Sequence, residues 1–149
     1  MYQKTTLAIV TVAAALLLPA CGWMWLGGSG IEAPNPDIVT GSFSVGARNF
    51  TPFTIEVPEG LDDVRIEGSF SAEGGSGNDV EVILLEEIQF RNWQNRHKFL
   101  PMYESGRVTA DRINVPLPGA GRYVMVFSNR FSLLSTKAVT ADLKLRYDD

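Results

Sequence analysis

From about Thr40 onward, apolar and polar residues alternate with a period of two, broken by turn residues every eight to twelve positions. That period belongs to strands half-buried in a sheet. The first two strands are expected over residues 42–45 and 50–57, with Phe53, Ile55 and Val57 sharing a face. Pro52 places the second at a sheet edge or a bulge, because proline cannot donate to a hydrogen-bond ladder. Pro58-Glu59-Gly60 is a turn. Val64, Ile66, Gly68, Phe70 and Ala72 alternate with polar residues as a half-buried strand, and the glycine-rich stretch 74–79 is a loop. Val80, Val82 and Leu84 continue as a strand ending near Glu87. Residues 88–102 (IQFRNWQNRHKFLPM) lack a clear period and read as an irregular connection with room for a short helical turn. Residues 107–109 and 113–117 give two short strands before Pro118-Gly119. Residues 121–127 are apolar at nearly every position, as expected of a central strand covered on both faces. In the last strand Val139, Ala141, Leu143, Leu145 and Tyr147 face one way, and Thr140, Asp142, Lys144 and Arg146 the other. Helical period is absent outside the leader. Seven or eight short antiparallel strands over residues 38–149 predict an all-β sandwich or jelly roll.

Ahead of this domain the pattern changes. Residues 1–6 are a short polar region carrying one cation, Lys4, and residues 7–18 are an apolar run of the length of a signal-peptide core. Leu18-Pro19-Ala20-Cys21-Gly22 follows. It resembles the lipobox of bacterial lipoproteins, with an aliphatic residue three before the cysteine and a small one directly before it. The resemblance implies that Cys21 carries diacylglycerol, that residues 1–20 are removed as a signal peptide, and that the new amino end is acylated. Several acyl chains give stable attachment where one is marginal. The competing reading is an uncleaved anchor helix over residues 7–26, long enough to span a bilayer. Both put the domain on a membrane and outside the cytoplasm. Trp23 and Trp25 suit the headgroup level or packing on the domain. Residues 21–37 form the lipidated cysteine and a Gly/Ser- then Pro-rich tether. Gly22 after the cysteine resembles an outer-membrane destination in a diderm cell.

Composition narrows the partners. The formal net charge is −4 and no basic cluster occurs in sequence, so nucleic-acid binding is not expected. The single cysteine, Cys21, excludes an internal disulfide.

The most specific string in the chain is GRYVMVFSNRFSLLSTK, residues 121–137. It resembles the GOLD (Golgi dynamics) domain, the luminal β-sandwich of eukaryotic secretory cargo receptors. Gly121, Tyr123, Phe127, Asn129, Phe131, Ser132 and Lys137 fall at that family's spacing, while Ser128 stands where it has Asp and Arg130 where it has Ser. The chain also resembles bacterial lipoproteins that contain GSGNDVEV and NWQN. The GOLD resemblance implies non-catalytic recognition. The residues alone put Asn129 at a turn after a buried strand, with a ligand contact as the other reading, and place Phe131 with Leu133 or Leu134 over an open end of the core.

Candidate chemistry is sparse. His97 is the only histidine, and with Cys21 committed to the anchor no nucleophile–histidine set or zinc site is supported, so an enzyme is not expected and no cofactor is implied. Glu73, Asn78 and Asp79 bracket a glycine loop and are weak Ca²⁺ candidates, or else turn formers. The connection around Trp93, Asn95, Arg96 and His97 mixes an aromatic, an amide and cations of the kind that dominate binding hot spots, and with Asn129 and Arg130 it forms the candidate binding set. Against this, Trp93 and Phe99 are of the size and polarity to fold back over the sandwich. Function is expected to be that of a membrane-tethered, non-catalytic module of the cell envelope that recognises a protein or glycan through its strand-end loops. The alternative is a structural accessory subunit of an envelope or membrane complex, which calls for a large exposed apolar patch.

Overall fold

The computed structural model describes residues 35–148; the leader, Cys21 and the tether up to residue 34 lie outside the described residues. Eight strands follow one another: β1 (Asp37–Val45), β2 (Phe50–Val57), β3 (Asp62–Glu73), β4 (Val80–Glu86), then a helix α1 (Glu87–Gln94), β5 (Tyr103–Val108), β6 (Ala110–Pro116), β7 (Gly121–Ser128) and β8 (Lys137–Asp148). One sheet has the order β1-β8-β3-β6 and the other β2-β7-β4-β5, and all their pairings are antiparallel. Four pairs nest one inside another, β1 with β8, β2 with β7, β3 with β6, and β4 with β5, so the chain is a long antiparallel ribbon wound into two layers, the order of a jelly roll. The sandwich is as the alternating pattern predicts, and Pro52 sits on an edge strand, β2, as its missing N–H requires. β1 starts earlier and β5 and β3 run longer than their patterns indicate.

The two inner faces meet on a core that includes Ile55, Val64, Ile66, Phe70, Met125, Leu143 and Leu145. Phe127 is its centre. Its ring is met edge-on by Phe43 at 5.0 Å and by Phe53 and Phe70 at 5.8 Å, the arrangement favoured by aromatic quadrupoles. β3 and β8 approach so closely that a Cβ on Gly68 would lie 1.9 Å from the Asp142 carbonyl oxygen, so only glycine fits there. At the start of β7 the Tyr123 hydroxyl donates to the Gly119 carbonyl four residues back at 2.7 Å, the geometry of a tyrosine corner.

A second apolar layer lies on the opposite face of the β2-β7-β4-β5 sheet. Ile83, Leu85, Val124 and Val126 point outward there and are covered by Trp93, with Phe50, Phe90 and Phe99 around them. This is why β4 and β7 are apolar at consecutive positions. The cover comes from the connection between β4 and β5, and here the sequence expectation is corrected. Residues 87–94 form a regular helix rather than an irregular passage, with Glu87 in its first turn bonded to Arg91 at 2.9 Å and Asn95 closing its end onto the Arg91 carbonyl. Glu87 favours the positive end of the helix dipole, and the Glu87–Arg91 spacing is that of one helical turn. Eight residues are too few for their period to stand out in the sequence.

Candidate functional site

The strands place every predicted site residue of the sandwich at one end. Val45, Phe50, Glu73, Val80, Ser128 and Lys137 are strand termini at this end, as the registers Val45↔Lys137, Phe50↔Ser128, Glu81↔Ser128 and Glu73↔Ala138 require. Asp37 pairs with Lys144 and Asp62 with Asp148, so the chain enters β1 and leaves β8 at the other end. α1 starts near the entry end, where Glu87 meets Arg122, and runs along the outer face to bring Trp93 to the loop end.

Asn129 organises the loops. Its Nδ2 donates to the carbonyls of Val45 (3.1 Å), Gly46 (3.2 Å) and Ser135 (2.8 Å). Its backbone N–H donates to Asn49 O, and its carbonyl accepts from Arg48 N and Ser132 N. One amide thus fastens the β1–β2 turn to both ends of loop 129–136. Three carbonyls face the amide nitrogen, which fixes the side chain's orientation, and Oδ1 is left buried without a partner. Asn129 is 0% exposed, so its reading as a ligand contact gives way to the turn role. Ser132 closes the loop again, its hydroxyl donating to Ser135 O and accepting from Ser135 N.

Trp93 is 7% exposed, which removes it as a free recognition surface. The outer positions of β4 and β7 need an apolar cover, and the indole supplies it. Arg130 closes over it, with Cζ 3.9 Å from the indole centroid and 4.7 Å from that of Phe50, while Nη1 donates to the Trp93 carbonyl at 3.4 Å. Burial, with Arg96 nearby, lowers the guanidinium's pKa below its ordinary value, although an arginine stays charged. Asn95 caps α1, and Arg96 and His97 are exposed just beyond it.

A lysine stands among the weak Ca²⁺ candidates. Lys137 is 3% exposed, and its Nζ donates to the Gly74 carbonyl at 2.9 Å and to Asp79 Oδ1 at 2.8 Å. Asn78 Oδ1 accepts from Gly74 N. Asp79 Oδ1 and Asn78 Oδ1 are thus engaged by an ammonium and a backbone N–H, and Glu73 is exposed. The Lys137 hydrogen bond holds the Asp79 carboxyl below its usual range. Phe131 completes the cluster, with Arg107 Cζ 4.1 Å and Lys137 Nζ 5.8 Å from its ring centroid.

Three features of this end are missed by sequence reasoning. Leu133 and Leu134 do not cover the core; they are 66% and 93% exposed on loop 129–136. Arg48 and Arg107, from a turn and an edge strand far apart in sequence, are brought beside the same loop. Among the described residues Arg48, Arg96, Arg107, Arg112 and Arg130 form no salt bridge; Arg112 lies within β6 opposite Ser69 and the other four at the loop end, whereas Arg65, Arg91, Arg122 and Arg146 form salt bridges and lie outside it. A chain of net charge −4 therefore presents a cationic end around two exposed leucines. Compared with family models and with the curated proteins, the chain matches none.

Proposed function

We propose that the chain is a non-catalytic binding module of the cell envelope, held to a membrane through Cys21, that recognises an anionic protein or glycan with its loop end. The observation that carries this reading is the gathering of Arg48, Arg96, Arg107 and Arg130, all without salt bridges among the described residues, at the end away from Asp37. Unpaired guanidiniums at one pole of an acidic protein steer and orient a partner of opposite sign. Asn129 and Ser132 fix the turn and loop that carry Arg48 and Arg130, and Arg107 is held on a strand, so little ordering is needed on binding. The lipobox-like segment supports attachment, and the string at residues 121–137 supports a GOLD-like recognition role. Neither sheet's outer face offers a broad apolar surface for the accessory-subunit alternative. One is covered by α1, and the other carries Ser42 bonded to Thr140 and Thr40 bonded to Asp142.

Affinity capture with the full chain from envelope membranes, read by mass spectrometry beside a glycan array, tests the proposal. A specific partner is expected whose retention falls at least tenfold with Arg48→Gln and Arg107→Gln combined. Equal retention by this variant would overturn the role of the loop end. An intact Met1 in the mass of the mature chain would overturn lipidation at Cys21.

A further inference from the structure

We infer that the tip of loop 129–136 docks on an anionic bilayer surface, Leu133 and Leu134 entering the headgroup region while the surrounding arginines meet lipid phosphates. The inference rests on the reading of this end as the one that meets partners, and adds the surface on which it meets them.

The leucines carry the first part of the argument. They are consecutive, 66% and 93% exposed, and project from a loop rather than lining a groove. A convex apolar tip has no wall against which a protein side chain could pack on two sides, whereas it fits a soft interface that closes around it. The tip is held out by its own bonds: Asn129 Nδ2 and the Ser132 hydroxyl both donate to Ser135 O, and Ser132 accepts from Ser135 N. A loop free to move would fold such side chains back onto Phe131. This one is tied in the exposed form.

Charge carries the second part. Arg107 lies on the Phe131 ring beside the tip, and Arg48 gives its backbone N–H to the Asn129 and Ser132 carbonyls of the same loop. Arg130 stands at the loop's start on Trp93. Lys137 is excluded from this set, since Asp79 already takes its charge. Glu73, which is exposed, and Glu81, which lies opposite Arg107 in the β4–β5 ladder, are the acids that subtract from the charge of this end. Aliphatic side chains on a loop flanked by arginines, two of which rest on aromatic faces, are the composition of an interfacial anchor. Each basic residue near an anionic leaflet adds about fivefold to the partition constant.

The test uses the full chain, fixed to a sensor surface by a C-terminal tag at the end opposite Leu134, its N-terminal segment in a phosphatidylcholine nanodisc. Vesicles of phosphatidylcholine alone, or with about a third phosphatidylglycerol, are passed over it. Capture of the anionic vesicles is expected to exceed that of the neutral ones by about tenfold or more and to fall with salt. Leu133→Ser with Leu134→Ser, at positions too exposed to unfold the domain, is expected to lower capture about tenfold or more. Arg48→Gln with Arg107→Gln is expected to lower it about 25-fold. Equal capture of neutral and anionic vesicles, or unchanged capture by the serine variant, would overturn the inference. If the arginine variant loses a protein or glycan partner while vesicle capture is flat throughout, the recognition reading stands and the bilayer inference falls. If neither changes, both fall.

Discussion

The Arg130 guanidinium lies 3.9 Å above the Trp93 indole and donates to that residue's carbonyl, so the first turn of the β7–β8 loop is clamped to the last turn of α1. The helix would otherwise be held to the sheet by few side chains. Trp93 is its one buried residue, stacked beside Phe90 at 6.0 Å and met edge-on by Phe50 at 4.9 Å. A single aromatic thus joins the outer apolar layer to the cationic end.

Trp93→Ala is expected to destabilise the domain by about 3–5 kcal/mol, the usual cost of deleting a buried large aromatic. Arg130→Ala is expected to cost about 1 kcal/mol through the lost cation–π contact. Because the two touch, the double variant should lose less than the sum. Urea unfolding followed by circular dichroism measures all three. Strict additivity would mean that the stack contributes nothing.

Asn129 makes the sharpest prediction about local chemistry. Asn129→Ala removes the side-chain donor that Val45 O, Gly46 O and Ser135 O share, of which Gly46 O keeps Asn49 N and Ser135 O keeps the Ser132 hydroxyl, and is expected to cost about 1–3 kcal/mol. Asn129→Asp is nearly isosteric, yet it turns a donor into a carboxylate facing those carbonyls, and about 3–5 kcal/mol is expected at neutral pH. Thermal unfolding of the pair at pH 7 checks the order. An aspartate variant more stable than the alanine one would refute the account of the amide's orientation.

Strands were legible because burial on one face writes itself as alternation, as in Val139, Ala141, Leu143 and Leu145. The doubled burial of β7 was legible too, though not what covers it. That cover, α1, is a short helix whose single buried anchor leaves no period to read. The loop end was half legible. Asn129 and Arg130 stand out in the string at residues 121–137, but Arg48 and Arg107 join them only through the winding of β1 and β5. The pattern also cannot distinguish Leu134, which faces solvent, from Leu143, which is fully buried. Period-two alternation is a property of strands, and it lapses in a loop.

The buried pair Lys137–Asp79 should make stability sensitive to acid. Asp79 is held below its usual pKa by the bonded ammonium, so its ionised form is favoured in the folded state. Its contribution is therefore complete above the unfolded-state value, near 3.8, and is lost as the pH falls through the lower folded value. Asp79→Asn removes this acid-dependent part, and wild type and variant should approach each other below about pH 3. Removing the lysine instead, as Lys137→Ala, strands Asp79 and leaves Gly74 O without its donor, and is expected to cost about 3 kcal/mol at pH 7. Unfolding midpoints between pH 2 and pH 7 test both statements.

Glu81 works in the opposite sense. Burial raises its pKa, and Glu104 on the neighbouring strand adds to the shift, which Arg107 partly offsets. A carboxyl whose folded value lies above its unfolded value is a burden when ionised, so it weakens the fold at neutral pH and ceases to do so once the pH drops below the unfolded value. Glu81→Gln keeps the shape without the charge. It is expected to raise the melting temperature by about 2 °C at pH 7, with the gain vanishing below about pH 4. Arg107→Gln, which removes the charge offsetting the shift, should enlarge the benefit of Glu81→Gln. Calorimetry on the four combinations decides. A gain that persists undiminished at pH 3 would mean that packing, not ionisation, sets the effect.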